Sequence, residues 1–341
     1  MGSLLSKRES TTTMSNSKLV VKGGESLKGK IKISGAKNAV LPIMAASILT
    51  EETVTLENVP HLSDVESMVS LLQSHGVAVD KSKWDKHILK IRAKDISTTE
   101  SPQSQEMRAS VLVLGPLLSR CGEAKILQPG GCKIGTRPIN LHLEGLRKLG
   151  ADISETNGMI NAKVGRAGCL QGNKIELGLP SVGATENILM AACLAKGVTI
   201  IHNAAKEPEV CDLAEFLIKM GAKISGVGST TLTIQGVPKL KRASHNIIAD
   251  RIEAGTYAIA ACVTRGRLKL EGISPNIMEP TLEFLERAGA DVVRKVSSVV
   301  VSMDKRRGIR PVSVQTEPYP GFPTDMQSQW LSLMCLAKGK K

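Results

Sequence analysis

Four stretches of the chain carry apolar residues too densely for a single amphipathic stripe: 37–50 (KNAVLPIMAASILT), 108–122 (RASVLVLGPLLSRCG), 182–197 (VGATENILMAACLAKG) and 254–266 (AGTYAIAACVTRG). Such density predicts helices buried on most sides. Each is followed by an alternating or β-branched run, such as Val198-Thr-Ile-Ile201, that predicts a strand. A second helix then follows, as where Val210, Leu213, Phe216, Leu217 and Met220 keep helical spacing. Gly76, Gly150, Gly221 and Gly289 close these second helices, while Gly122, Gly197 and Gly266 stand where the first helices should stop. The copies open about seventy residues apart, and a fifth begins near Asp325 (DMQSQWLSLMCLAKG). The repeat predicts α/β units of two helices and about four strands, stacked around a shared interior.

The copies differ most in one loop. From the first-helix stop to the second-helix Gly takes 24 positions in copy three and 23 in copy four, but 28 in copy two. The surplus falls in 128–140, QPGGCKIGTRPIN. Gly130 and Gly131 allow torsions closed to other residues, and Pro129 and Pro138 stiffen the ends. This loop could present backbone N–H groups to an anion while the Cys132 thiol converges with Lys133 and Arg137. An ordinary surface loop with a stray cysteine fits the same residues, and the two readings stand level.

Composition narrows the field. With 341 residues, 42% hydrophobic and 2% aromatic, the chain predicts an aliphatic interior divided between two domains. The net charge is +13, spread thinly apart from knots at 305–310 and 338–341. Few aromatics are available to stack on bases and no nucleic-acid motif is present, and so diffuse a charge suits a polyanionic small substrate equally well. No apolar run is long enough for a membrane span, and no secretory signal is read before the fold. Seven cysteines without a CxxC pair indicate a reducing, cytoplasmic setting. Cys193, Cys262 and Cys335 fall in apolar runs and are expected to be buried. Residues 1–17 are polar and Ser/Thr-rich, which predicts a disordered tail.

Six ordered motifs carry a family resemblance: SGAKNAVLP at 34–42, MRAS at 107–110, GGCKIGTRP at 130–138, SVGATEN at 181–187, DRIEAGT at 250–256 and PGFPTDMQ at 320–327. Together they resemble the UDP-N-acetylglucosamine enolpyruvyl transferase family, in register from about Lys18 to the last residue. The sister family, 5-enolpyruvylshikimate-3-phosphate synthase, shares fold and reaction type but lacks the Gly-Gly-Cys loop. The resemblance implies an inside-out α/β barrel of two domains, 37–246 and 18–36 plus 247–341, with the active site between them. The match stops within the fifth unit, so an incomplete second domain is expected. The implied reaction transfers the enolpyruvyl group of phosphoenolpyruvate to the 3′-hydroxyl of UDP-N-acetylglucosamine and releases phosphate. It would be the first committed step of peptidoglycan synthesis, run in the cytoplasm with no cofactor and no metal.

By the same resemblance, Cys132 is the acid that protonates C3 of phosphoenolpyruvate, and a thiol among cations suits that role. Asp325 is the carboxylate facing the attacking hydroxyl, although its position alone favours a helix cap. Lys37 and Asn38 open a helix, where anions are already favoured, and with Arg137 would hold the phosphate and carboxylate of phosphoenolpyruvate. Arg108 would contact the UDP-sugar. Arg137, Pro138, Ile139, Asn140 and Leu141 match the nucleotide-binding stretch, with Asn140 in place of the family's aspartate, and Ser181 and Val182 face the uridine diphosphate. Two other readings stay open: an impaired copy that still binds UDP-N-acetylglucosamine, and a basic scaffold for acidic partners.

Overall fold

The computed structural model describes residues 20–99, 108–128 and 139–339, with backbone alone at 108 and 109. The tail 1–17 and three site candidates, Cys132, Arg137 and Pro138, lie outside the described residues.

Each repeat folds as a small twisted sheet backed by two helices. In the third, Lys174–Glu176 lies parallel to Val198–His202, and Thr231–Gln235 and Lys223–Ser225 follow antiparallel. Its inward residues Ile175, Ile201, Leu232 and Ile234 are buried while their neighbours along each strand are more exposed, the alternation of a sheet covered on one face. The covering helices are Val182–Ala192 and Pro208–Lys219. The first unit repeats this order with Ser244–Asn246 parallel to Val54–Glu57, then Leu89–Arg92 and Ala78–Asp80. In the second unit, strands Glu123–Leu127, Met159–Val164 and Ala151–Thr156 run antiparallel, and a single parallel bridge from Thr99 to Lys125 takes the edge position. The fourth places Lys28–Lys32 parallel to Arg267–Glu271, with Ser298–Ser302 and Asp291–Lys295 beyond. A 3-10 turn at Thr324–Met326 then leads into the helix Gln327–Met334.

Apolar contacts gather into two cores. One runs from Ala36 to Ile247; the other joins Ile33 to residues between Ala249 and Leu333. In the first, helices Lys37–Ala46, Leu114–Cys121 and Val182–Ala192 meet at the centre. Asn187 ties its own helix to Leu114–Cys121 and to the segments around it. Its Oδ1 accepts the Gly115 N–H at 2.8 Å, and its Nδ2 donates to the Val111 carbonyl at 2.8 Å and lies 3.1 Å from His142 Nδ1. Between the cores the chain crosses twice, in links that lie antiparallel. Ala36 N donates to Ile248 O at 2.7 Å and Asp250 N to Ser34 O at 2.9 Å. Among the described residues no helix is long and apolar enough to cross a membrane.

Several local expectations need correction. Gly197 is left-handed (φ +94°), but it does not cap the preceding helix, which stops at Ala192. The neighbouring loop recruits the groups between: Lys196 donates to Leu170 O and accepts from Gly172 N. In the fourth unit the left-handed residue is Arg265 (φ +51°), not Gly266. Gly266 is required for another reason, since a Cβ there would meet the Leu27 carbonyl oxygen at 2.0 Å. Pro208 is the first residue of its helix, where a missing N–H costs nothing. Cys335 is exposed rather than buried, because Gln327–Met334 ends just before it and turns its outer face to solvent.

Candidate active site

A cleft of about 880 Å³ opens where the two cores meet. One wall is built from helix starts of the first core. Lys37 and Asn38 open the helix Lys37–Ala46, and Val182 opens Val182–Ala192. The opposite wall carries Asp325, set at the cleft by the 3-10 turn Thr324–Met326, whose Met326 is fully buried.

Lys37 Nζ lies 3.1 Å from Asp64 Oδ2, with both side chains nearly half exposed. A pair so wet holds weakly, so the ammonium can be exchanged to an incoming anion. No side chain caps this helix from its own N-terminal residue. Instead Asp250 reaches across from the other core. Its Oδ2 accepts the Lys37 N–H at 3.3 Å, and its Oδ1 accepts the N–H groups of Ile252 and Glu253 at 2.8 and 3.0 Å. One carboxylate thus satisfies the starts of two helices, one from each core.

The cleft holds more acid than a site for anions would suggest, but most of it is engaged. Glu209 accepts two hydrogen bonds from Arg251, at 2.9 and 3.3 Å. Burial raises the Glu209 carboxyl above its ordinary value while the guanidinium pulls it back. Glu207 accepts the Tyr319 N–H at 3.3 Å. Behind them Glu186 is buried, and burial, then the charges of Glu209 and Glu207, push its carboxyl well above the usual range. Asp325 differs: among the described residues its carboxylate has no hydrogen bond or ion pair, and it is exposed to the cleft. A carboxylate left free to accept a proton, opposite a cation at a helix start, is a geometry for general-base work on an anionic substrate.

The remaining sequence candidates fall as follows. Ser181 caps the helix Val182–Ala192, its Oγ accepting the Ala184 N–H at 3.4 Å, and sits between the lining residues Pro180 and Val182. Ile139, Asn140 and Leu141 start the helix Asn140–Lys148; they are not among the described lining residues, and Ile139 and Leu141 pack against the first core. Arg108 begins a 3-10 segment, Arg108–Val113. Glu207, Glu209, Asp250, Arg251 and Tyr319 line the cleft without having been singled out as site residues. A signal existed for one of them: Asp250 followed three positions later by Glu253 reads as a capping box. Glu253 does not close that box; it accepts Ser34 N at 3.2 Å instead, fastening the first link.

The profile of the family described as EPSP synthase (3-phosphoshikimate 1-carboxyvinyltransferase) matches residues 21–341. The UDP-N-acetylglucosamine 1-carboxyvinyltransferase of Granulibacter bethesdensis is 50% identical over 321 residues, 94% of this chain and 75% of that protein. Its counterpart in Magnetococcus marinus is 49% identical, covering 94% of this chain and 76% of the relative. Among solved structures, the enolpyruvyl transferase NikO from Streptomyces tendae superposes with a TM-score of 0.81 at 21% identity, over 93% of this chain and 74% of that one. EPSP synthase from Acinetobacter baumannii follows at a TM-score of 0.65 and 19% identity, over 86% and 68%. The architecture is the two-domain α/β barrel of these proteins, built from repeated units.

Proposed function

The chain belongs to the EPSP synthase family of carboxyvinyl transferases, on its UDP-N-acetylglucosamine branch, and on that premise we propose that it transfers the enolpyruvyl group of phosphoenolpyruvate to the 3′-hydroxyl of UDP-N-acetylglucosamine. The observation that carries this reading is the meeting of Lys37, Asn38 and Val182 from one core with Asp325 from the other across a single cleft.

In this reading Asp325 accepts the proton of the sugar hydroxyl as its oxygen bonds to C2 of phosphoenolpyruvate. A proton is added to C3, the role assigned to Cys132, and a tetrahedral adduct results. Loss of a proton from C3 then restores the double bond and expels phosphate. Lys37 and Asn38, with Arg137, hold the phosphate and carboxylate through the step where charge builds up. Ser181, Val182, Arg108 and the stretch from Pro138 to Leu141 take the UDP-sugar. The product would enter peptidoglycan synthesis in the cytoplasm.

Phosphate release with each substrate alone and with both together tests the proposal. Release only with both, and about 10²–10⁴-fold slower in Asp325→Ala, is the expected result. Phosphate released with shikimate 3-phosphate but not with UDP-N-acetylglucosamine would overturn it.

A further inference from the structure

The two domains touch through more than their links. Arg251, first residue of the helix Arg251–Val263, sends its guanidinium into the first domain. There Nε and Nη2 grip both oxygens of Glu209, with side-chain exposures of 11% and 4%. Its other face lies over the Tyr319 ring, 5.7 Å from the centroid. Tyr319 is itself tied across the boundary by its N–H to Glu207. A planar, two-pronged pair of this kind fixes orientation as well as distance.

What lies behind Arg251 gives the contact its consequence. Its helix packs closely on the turn that bears Asp325: a Cβ at Gly255 would come within 2.8 Å of Met326 Cε. At the next residue, Thr256 Oγ1 accepts from Gln329 Nε2 at 3.0 Å, joining the same helix to Gln327–Met334. A continuous solid path therefore runs from Glu209 through Arg251 and Gly255 to Met326 and Asp325. Along the opposite wall, Glu209 belongs to the domain that carries Lys37 and Val182.

We infer that Arg251 is a positioning residue for enolpyruvyl transfer: its grip on Glu209, backed by Tyr319, sets the angle between the domains and so the reach of Asp325 toward a substrate held by the first domain. The inference rests on the reaction proposed above. A misplacement of about 1 Å at a reacting group costs on the order of a hundredfold in rate, so a small change in this angle is enough to matter.

The test compares Arg251→Met, Glu209→Gln and the double variant, with Arg251→Lys as the conservative case that retains charge but loses the fork. Three quantities are measured: kcat, the dissociation constant for UDP-N-acetylglucosamine in the absence of phosphoenolpyruvate, and the distance between nitroxides carried by non-natural residues at the exposed positions Ser67 and Val296. Arg251→Met should lower kcat roughly 30- to 100-fold while the sugar's dissociation constant moves less than about threefold. The double variant should be no worse than Arg251→Met, since both members act as one contact. The interdomain distance distribution should broaden in each variant. Should Arg251→Met fail to fold, Arg251→Lys and Glu209→Gln decide, with smaller losses of kcat and the same broadening. An unchanged kcat in folded variants, additive losses, or an equal loss of sugar affinity would overturn the inference. A wild-type chain that releases no phosphate fails the proposed reaction instead, and the distance measurement still reports whether Arg251 holds the domains.

Discussion

Asn187 and Glu186 are neighbours in sequence with opposite fates. The Asn187 amide is buried and hydrogen-bonded to Gly115 and Val111. Asn187→Ala should cost about 2–4 kcal/mol, because a buried donor and a buried acceptor are both left unmet; urea unfolding measures it. Glu186 Oε1 is buried and has no hydrogen-bond partner among the described residues. Its folded pKa is raised, so the folded chain keeps the proton after the unfolded chain has released it. Below the ordinary carboxylate value the contribution of Glu186 to stability does not change with pH. As pH rises above that value stability falls, until the folded pKa is passed. Glu186→Gln should flatten this decline above the ordinary carboxylate range. Urea midpoints that fall equally with pH in both proteins would contradict it. The SVGATEN motif marked this segment in the sequence, but not these roles, since a motif shows which residues recur together and not which donors will face them.

At the scale of elements, hydrophobic spacing located most helices and strands, because a helix buried on most sides and a sheet covered on one face leave different periods in the chain. The ends were less legible. A glycine near a helix end signals a left-handed turn in general, yet Gly266 serves close approach to Leu27 while Arg265 takes the strained torsion. Gly266→Ala should thus destabilise by about 1–3 kcal/mol through overpacking, measured as a loss of urea midpoint. A loss of a few tenths, the ordinary size for a glycine with room around it, would mean that the edge strand can move aside. Of the candidate site, Lys37, Asn38, Val182 and Asp325 were legible from their motifs and do share one cleft. Asp250 and Arg251 stood in a motif and Asp250 also read as a helix cap, but their pairing across the cores, and Glu209 altogether, were not legible, because the partners lie about 40 to 210 positions away.

For the whole molecule, each core holds one tryptophan. Trp84 packs against the first core and Trp330 is buried in the second, among Phe284 and Phe322. Variants Trp84→Phe and Trp330→Phe therefore leave one fluorescent reporter per domain. UDP-N-acetylglucosamine at a hundred times its dissociation constant adds about 2.7 kcal/mol to whatever unit binds it. The Trp84 transition should rise by that amount and the Trp330 transition by less. Equal shifts would mean that the domains unfold together.

The parallel pairing of Lys28–Lys32 with Arg267–Glu271 joins positions about 240 residues apart. A ribosome adding roughly 5–20 residues per second needs on the order of 12 to 50 seconds to span that interval. Once some tens of further residues have pushed the early strand out of the exit tunnel, its neighbour still does not exist, while the first domain is made and can fold. The nascent chain therefore carries an unpaired edge until that neighbour is made. Its composition suits the wait: KGKIK has three lysines and a glycine in five residues, a sequence that repels its own kind from neighbouring polysomes until the proper partner emerges.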